Sequence, residues 1–230
     1  MIISGIFHLA DKKTNKNKQM KVIAINGSPR KDGNTFHALN MVGNELKANG
    51  IEFEILHIGH KQIHGCMACG KCAVNKDEKC TITNDDLNQS IQKIKEFDGI
   101  IIASPVYFAG IAGTMKSFLD RLFYVSGVNG NLFRQKVAAS VVAVRRTGGS
   151  VTFDALNHYL TYSEMILATS NYWNIIHGRA AGEVEQDIEG KQIMRVLAKN
   201  MAWLLKMKEA TTNTIEAPKK EVKEMMSFVR

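Results

Sequence analysis

KVIAINGSPRKDGNTF, residues 21–36, is the stretch whose reading decides the fold. Its first six residues form a short apolar run rich in β-branched side chains, as strands do. Turn-forming residues follow from Gly27 to Gly33. Phe36, Leu39, Gly43 and Leu46 then recur at helical spacing, and Asn49-Gly50 supplies the stop. A strand that feeds a helix through a glycine-bearing turn is the first half of a βαβ unit.

Working outward, the alternation continues. Ile51 to Ile58 alternates like a strand, and a loop holding every cysteine of the chain comes next. Thr83 to Asp86 reads as a capping box ahead of a helix carrying Leu87, Ile91 and Ile94 on one face. Gly99 to Ser104 (GIIIAS) is a near-continuous apolar run, the habit of buried parallel strands, and Pro105 is expected to end it. Met115, Phe118, Leu119, Leu122 and Phe123 make a helical stripe. Val137 to Val144 is a further buried strand, Phe153 to Ala168 a helix, and Asn171 to Ile175 a short fifth strand. Ile193, Leu197, Met201, Leu204 and Leu205 stripe a last helix. Five alternations of strand and helix predict an α/β protein. The architecture expected is a flavodoxin-like doubly wound five-stranded parallel sheet, order 2-1-3-4-5, with helices on both faces. Ligands of such sheets bind beyond the carboxyl ends of the strands, so the loops after strands one, three and four become the candidate site.

Composition excludes several classes. The chain has 230 residues, 45% apolar and 23% charged, which suits one globular domain. A formal charge of +8 invites a nucleic-acid reading. However, residues 1–21 hold five lysines against one aspartate, and residues 206–230 hold six basic residues against four glutamates. Excess charge at the ends is not a basic face on the folded body, so no nucleic-acid partner is expected. No apolar run reaches the roughly 18 residues of a membrane span. The apolar opening, Met1 to Ala10, has its lysines after it rather than before, the wrong order for a secretory signal. A cytoplasmic protein is therefore expected, without a membrane partner. Residues 1–19 read as an N-terminal extension, 20–210 as the domain, and 211–230 as a polar tail or short docking helix.

The loop after strand one offers a phosphate cradle. A helix start presents N–H groups without acceptors at the positive end of its dipole. Ser28, Asn34 and Thr35 add hydroxyl and amide groups, Arg30 adds charge, and Gly33 sits at the turn into the helix. The spacing from Gly27 to Gly33 is one residue too long for a nucleoside-triphosphate loop, and Asn34 stands where its lysine should be. The dinucleotide fingerprint is also missing, and strand two ends at His57 without an acid to hold a ribose. A terminal monophosphate fits best. After strand three, Pro105, Val106, Tyr107, Phe108, Ala109 and Gly110 pair two aromatics with open backbone, a seat for a flat heteroaromatic ring. After strand four, Arg145, Arg146, Thr147, Gly148 and Gly149 set positive charge and backbone N–H groups at the same rim, suited to an anionic reduced ring.

The cysteines run C-x2-C-x2-C-x7-C as Cys66, Cys69, Cys72 and Cys80. Clustering all of them in one loop argues against a disulfide framework. Four thiolates in compact order suit a [4Fe-4S] cluster or zinc, and reduced thiols without metal are the third reading. His57, His60 and His64 precede them and read as ordinary loop residues rather than ligands. Lys116 and Asp120 form an i,i+4 pair worth a few tenths of a kcal/mol.

Taken together, G-S-P-R-x-x-G-N-T, S-P-V-Y and R-R-T-G-G make the chain resemble the flavodoxin-like NADPH-dependent FMN reductase family over about residues 20–210. The likeness extends to Lys116-Ser-Phe-Leu-Asp-Arg121, Trp173-Asn174 and Gly182-Glu183. The resemblance implies FMN. Ser28, Arg30, Asn34 and Thr35 match the family's phosphate-binding positions, and Pro105 to Gly110 and Thr147 to Gly149 its ring-contacting loops. It also implies NAD(P)H as co-substrate and a small-molecule acceptor of quinone, azo or flavin type. A homodimer or homotetramer is implied as well. The cysteine loop resembles the compact motif of the iron–sulfur flavoprotein branch. That branch implies the alternative of an electron carrier passing electrons from ferredoxin through a [4Fe-4S] cluster to FMN. A plain flavodoxin-type carrier and a regulatory thiol or zinc module are the further rivals. No side chain is nominated as catalytic.

Overall fold

The computed structural model describes residues 19–226. The expected N-terminal extension lies, apart from its last residue, outside the described residues. In chain order the elements are β1 (Lys21–Asn26), α1 (Asn34–Ala48), β2 (Glu52–His57), α2 (Lys71–Asn75), α3 (Leu87–Lys95), β3 (Gly99–Tyr107), β4 (Gly110–Ile111), α4 (Gly113–Val128), β5 (Val137–Val144), α5 (Gly149–Tyr162), β6 (Ile166–Leu167), β7 (Ile175–His177), a 3-10 turn (Glu183–Gln186) and α6 (Ile188–Thr211).

The parallel sheet runs β2-β1-β3-β5-β6, with β7 also pairing β5 and β4 pairing β3. Its position order is the 2-1-3-4-5 expected, with two short strands sharing the fifth place. β1 and β5 are buried almost throughout because helices cover both faces. On one face Phe118, Leu119 and Leu122 of α4 pack with Ile91 of α3 and Leu156 of α5. On the other, Leu39 and Leu46 of α1 pack with Leu197 and Met201 of α6.

Three boundaries differ from the sequence reading, each for a local reason. The fifth strand is not Asn171–Ile175 but two fragments, Ile166–Leu167 and Ile175–His177. Between them Asn174 replaces the ladder: its Nδ2 donates to Ser140 O at 3.0 Å, and its carbonyl accepts from Val142 N–H at 2.9 Å. Tyr172 and Trp173 are thereby left exposed. The helix placed at 153–168 starts earlier, at Gly149, and stops at Tyr162. Pro105 does not end its strand. β1 pairs with β3 only as far as Ala103, so beyond that point a residue lacking an N–H breaks no ladder on the β1 side, while β5 still pairs with Pro105.

Thr83 does not cap α3 either. That helix begins at Leu87, whose N–H donates to Asp85 Oδ1 at 3.3 Å. Beyond α6 the chain has no further helix among the described residues. It crosses the surface instead, where Pro218 O accepts from Arg134 Nη1 at 2.9 Å. Among the described residues no helix is long and apolar enough to cross a membrane.

Candidate functional site

The turn after β1 is shaped from within. Asn26 Oδ1 accepts from Ser28 N–H at 3.0 Å, and Ser28 Oγ accepts from Arg30 N–H at 3.2 Å. His57, at the end of β2, donates through Nε2 to Ser28 O at 2.6 Å. That nitrogen must carry the proton, since a carbonyl only accepts. Gly59 passes so close that a Cβ there would strike the backbone of Gly27 and Ser28.

α1 then starts from Gly33 with no side-chain cap and no acid in its first turn. Thr35 is 1% exposed, yet its Oγ1 has no partner, and Asn34 Oδ1 is likewise buried and unpaired. Buried polar atoms are ordinarily satisfied. The Thr35 hydroxyl can donate, and an unpaired donor at an uncapped helix N-terminus fits an anion with acceptor oxygens, whereas Asn34 could donate only through Nδ2. Thr35 and the free N–H groups of the helix start therefore suit the phosphate of FMN. Arg30 is exposed at the rim.

The loops after β3 and β5 meet at the same end of the sheet. β3 folds back through β4 in a hairpin pairing Val106 with Ile111 and Tyr107 with Gly110. Ser104 Oγ closes it by accepting from Ala112 N–H at 3.0 Å. At the tip Phe108 is fully exposed with φ 51°. A bulky aromatic held in the left-handed region without burial is strained, and such strain gathers at ligand sites. Gly148 has φ 86°, and a Cβ there would lie 3.1 Å from Val106 Cγ1. The hairpin and the β5 loop are therefore in contact. Arg145, Arg146 and Thr147 are exposed, and Gly149 is buried as the first residue of α5. Beside Thr147–Gly149 opens a hollow of about 380 Å³ floored in part by Tyr172, Trp173, Ile175 and His177. Sequence reasoning did not assign Tyr172 or Trp173 to the rim. The signal available was the Trp173-Asn174 pair within the family likeness; the break in the fifth strand that exposes them appears only in the structure.

The two helices that leave these loops are tied together. Lys116 Nζ donates to Asp120 at 2.7 and 2.6 Å, and Tyr159 Oη on α5 donates to Asp120 Oδ1 at 2.5 Å. Burial, then the bond to Asp120, pushes the Tyr159 phenol up to about 12. The folded state therefore holds a proton that the unfolded chain releases near an ordinary tyrosine value of about 10. Tyr159's contribution to stability is full below about pH 10 and is lost as pH rises toward about 12. In alkaline denaturation, the stability gap between the wild type and Tyr159→Phe is expected to narrow across that window. A gap independent of pH there contradicts the assignment.

The four cysteines line one small apolar hollow with Met67, Ile82, Tyr124, Val125 and the buried Arg121. Cys66 and Cys69 are exposed, Cys72 is buried and Cys80 half-buried. The backbone N–H of Lys71 draws the Cys69 thiol down, whereas burial pushes the Cys72 thiol up. Among the described residues no three His, Cys, Asp or Glu side chains form a ready metal group. A zinc ion needs its sulfurs about 2.3 Å from one point. As a donor set, four thiols around one hollow are chemically suited to an iron–sulfur cluster or to zinc. The three histidines stay outside this hollow: His57 serves Ser28, its ring lies 4.4 Å from that of His60, and His64 Nε2 faces Asn84 Nδ2.

Residues 20–180 match the protein family described as NADPH-dependent FMN reductase. The chain is 34% identical over 195 residues to iron-sulfur flavoprotein MJ1083 of Methanocaldococcus jannaschii, covering 82% of this chain and 98% of that one. It is 28% identical over 189 residues to an iron-sulfur flavoprotein of Methanosarcina thermophila, covering 82% and 96%. Among solved structures, RosB with a bound flavin-phosphate intermediate superposes with a TM-score of 0.66 at 15% identity, over 92% of this chain and 94% of that one. The Trp repressor binding protein of Bacillus subtilis gives 0.57 at 18% identity, over 76% and 98%. At such identities the structural matches speak for the fold alone.

Proposed function

The chain belongs to the NADPH-dependent FMN reductase family, a family of oxidoreductases, and from that membership we propose that it is an FMN-dependent NAD(P)H oxidoreductase. The observation that carries this reading is the orphaned buried hydroxyl of Thr35 at the uncapped start of α1. Bound FMN would supply two-electron chemistry between NAD(P)H and an acceptor of quinone, azo or flavin type.

The chain's own groups bind and orient. Thr35, Asn34 and Ser28 would hold the phosphate, with Arg30 adding a screened charge from the rim. Pro105 to Gly110 would seat the ring, with Tyr107 and Phe108 offering stacking faces. The N–H groups of Thr147 to Gly149, with Arg145 beside them, would favour negative charge on the ring's edge. The expectation of a homodimer or homotetramer belongs to the same proposal, as does the expected division at residues 20 and 210.

A second reading has its own support. All four cysteines face one hollow, and the relatives above carry iron–sulfur names. Cys66, Cys69, Cys72 and Cys80 would then hold a [4Fe-4S] cluster, and ferredoxin would be the electron donor. Anaerobic purification, an ultraviolet–visible spectrum and iron and sulfide assays on the same sample test both readings. About one FMN per chain with rapid NAD(P)H oxidation in the presence of a quinone is expected for the first. Iron, sulfide and broad absorbance beyond the flavin bands are expected for the second. A protein that retains no flavin when supplied with excess FMN overturns both.

A further inference from the structure

Arg121 lies on α4 and is 1% exposed. A guanidinium carries five N–H donors in a rigid plane, and here each has an acceptor. Nε donates to Cys80 Sγ at 3.3 Å. Nη1 donates to His64 O at 3.1 Å and to Asp85 Oδ2, and Nη2 to Ile82 O at 3.1 Å and Asp85 Oδ1 at 3.2 Å. Asp85 is as deeply buried as its partner and also accepts from His64 N–H at 3.2 Å.

All five acceptors belong to the cysteine loop, and they bracket it. His64 precedes Cys66, while Cys80, Ile82 and Asp85 close the motif. The loop's one helix, α2, has only five residues. Asn88 and Asn129 also hold Cys80, Glu78 and Cys72 to the fold, but among the described residues Arg121 alone bonds, from one side chain, both the arm before Cys66 and the arm after Cys80. Burial pushes the Asp85 carboxyl up, yet hydrogen bonds from Arg121 and the N–H groups of His64 and Leu87 hold it below the ordinary carboxylate range. The pair therefore remains an ion pair at neutral pH.

Stability alone explains this arrangement poorly. A buried ion pair can often be replaced by apolar residues at little cost or with a gain. The fork buys geometry instead. α4 begins at Gly113, directly after the β3–β4 hairpin. One rigid helix thus carries the hairpin at its start and the cysteine loop at Arg121.

We propose that Arg121 is the positioning residue of the four-cysteine centre: it fixes both arms of the loop and gives the Cys80 sulfur a charged hydrogen bond. The second half rests on the reading that the cysteines hold an iron–sulfur cluster, and the first half does not. A donor to a ligand sulfur favours the more negative, reduced state, so its loss moves a cluster's potential in the negative direction.

Arg121→Lys keeps the charge but has three donors and no planar fork. The test uses the full chain, metal-free and after anaerobic reconstitution with ferrous iron and sulfide. Amide exchange across residues 61–86 is expected to rise about tenfold or more in the metal-free variant, with FMN affinity unchanged. Iron bound per chain is expected to fall below half of the wild-type value. Any cluster retained is expected to show a more negative midpoint potential, with that of FMN unmoved. Wild-type exchange rates and iron content in the variant overturn the proposal. A lowered iron content with an unshifted cluster potential overturns its second half. If Arg121→Lys does not fold, Asp85→Asn, which keeps the shape and breaks the ion pair, is read by the same measurements. If wild-type protein takes up no iron while the variant's loop still exchanges faster, the clamp stands and the cluster reading falls.

Discussion

Thr35→Val is expected to weaken FMN binding by about 10- to 100-fold while leaving the flavin-free protein as stable as before, or slightly more so. The substitution exchanges a hydroxyl for a methyl of nearly the same size. In the flavin-free state that hydroxyl is buried without a partner, and an unsatisfied buried polar group is a cost whose removal costs nothing in the folded chain. A hydrogen bond to a charged group is worth roughly 1.5–3 kcal/mol, and each 1.4 kcal/mol is about tenfold in affinity. The opposed signs are the useful part. A residue that mattered only for folding would not lose ligand affinity while holding or gaining stability. Fluorescence titration of FMN and thermal unfolding of the flavin-free protein read the two quantities separately, and unchanged FMN affinity removes Thr35 as the anchor. Arg30→Ala is a milder change, because an exposed guanidinium acts through screened attraction.

A larger loss is expected from a site that touches no ligand. Gly59→Ala would drive a Cβ into the carbonyl of Ser28 and the carbonyl oxygen of Gly27. Both obstacles are backbone, so no flexible side chain can yield. Gly59 N–H already donates to Asn26 O at 3.2 Å, so retreat of the β2 loop would strain that bond and the one from His57 to Ser28. Overpacking of this kind costs about 1–3 kcal/mol of stability. Displacing the cradle is expected to lower FMN affinity on the order of 100-fold or more, the equivalent of losing about two bonds to the phosphate. Gly127→Ala, inside α4 with nothing near the added methyl, is the control and is expected to be neutral or stabilising. Flavin retained at wild-type level by Gly59→Ala would show that the cradle tolerates displacement and that the phosphate is held elsewhere.

Much of the site was legible because alternation constrains topology. Once Lys21–Asn26, Gly99–Ser104 and Val137–Val144 read as parallel strands joined through helices, their following loops had to lie at one end of the sheet. The fifth strand was misplaced because periodicity cannot see a side chain acting as backbone: Asn174 fills the gap in the ladder. Pro105 was misread because whether a missing N–H matters depends on where the neighbouring strand stops. Lys116 and Asp120 were visible as a pair from their i,i+4 spacing, but Tyr159, 39 residues from Asp120, has no local signal linking it to them. Gly59 carried no signal either, since its constraint comes from Ser28 on another strand's loop.

The sequence by itself determined the order of the elements, the two-faced parallel sheet, and the choice of three loops and one cysteine cluster as the candidate places for chemistry. Each of those follows from local periodicity and short spacings. Only the tertiary structure decided which polar atoms were left unpaired at the start of α1, that His57 and Gly59 support the cradle from behind, and that Arg121 spends all its donors on the cysteine loop. The reason is physical. Burial and hydrogen-bond satisfaction are properties of contacts between distant segments, such as the 36 residues separating Arg121 from Asp85, and no window along the chain contains both partners.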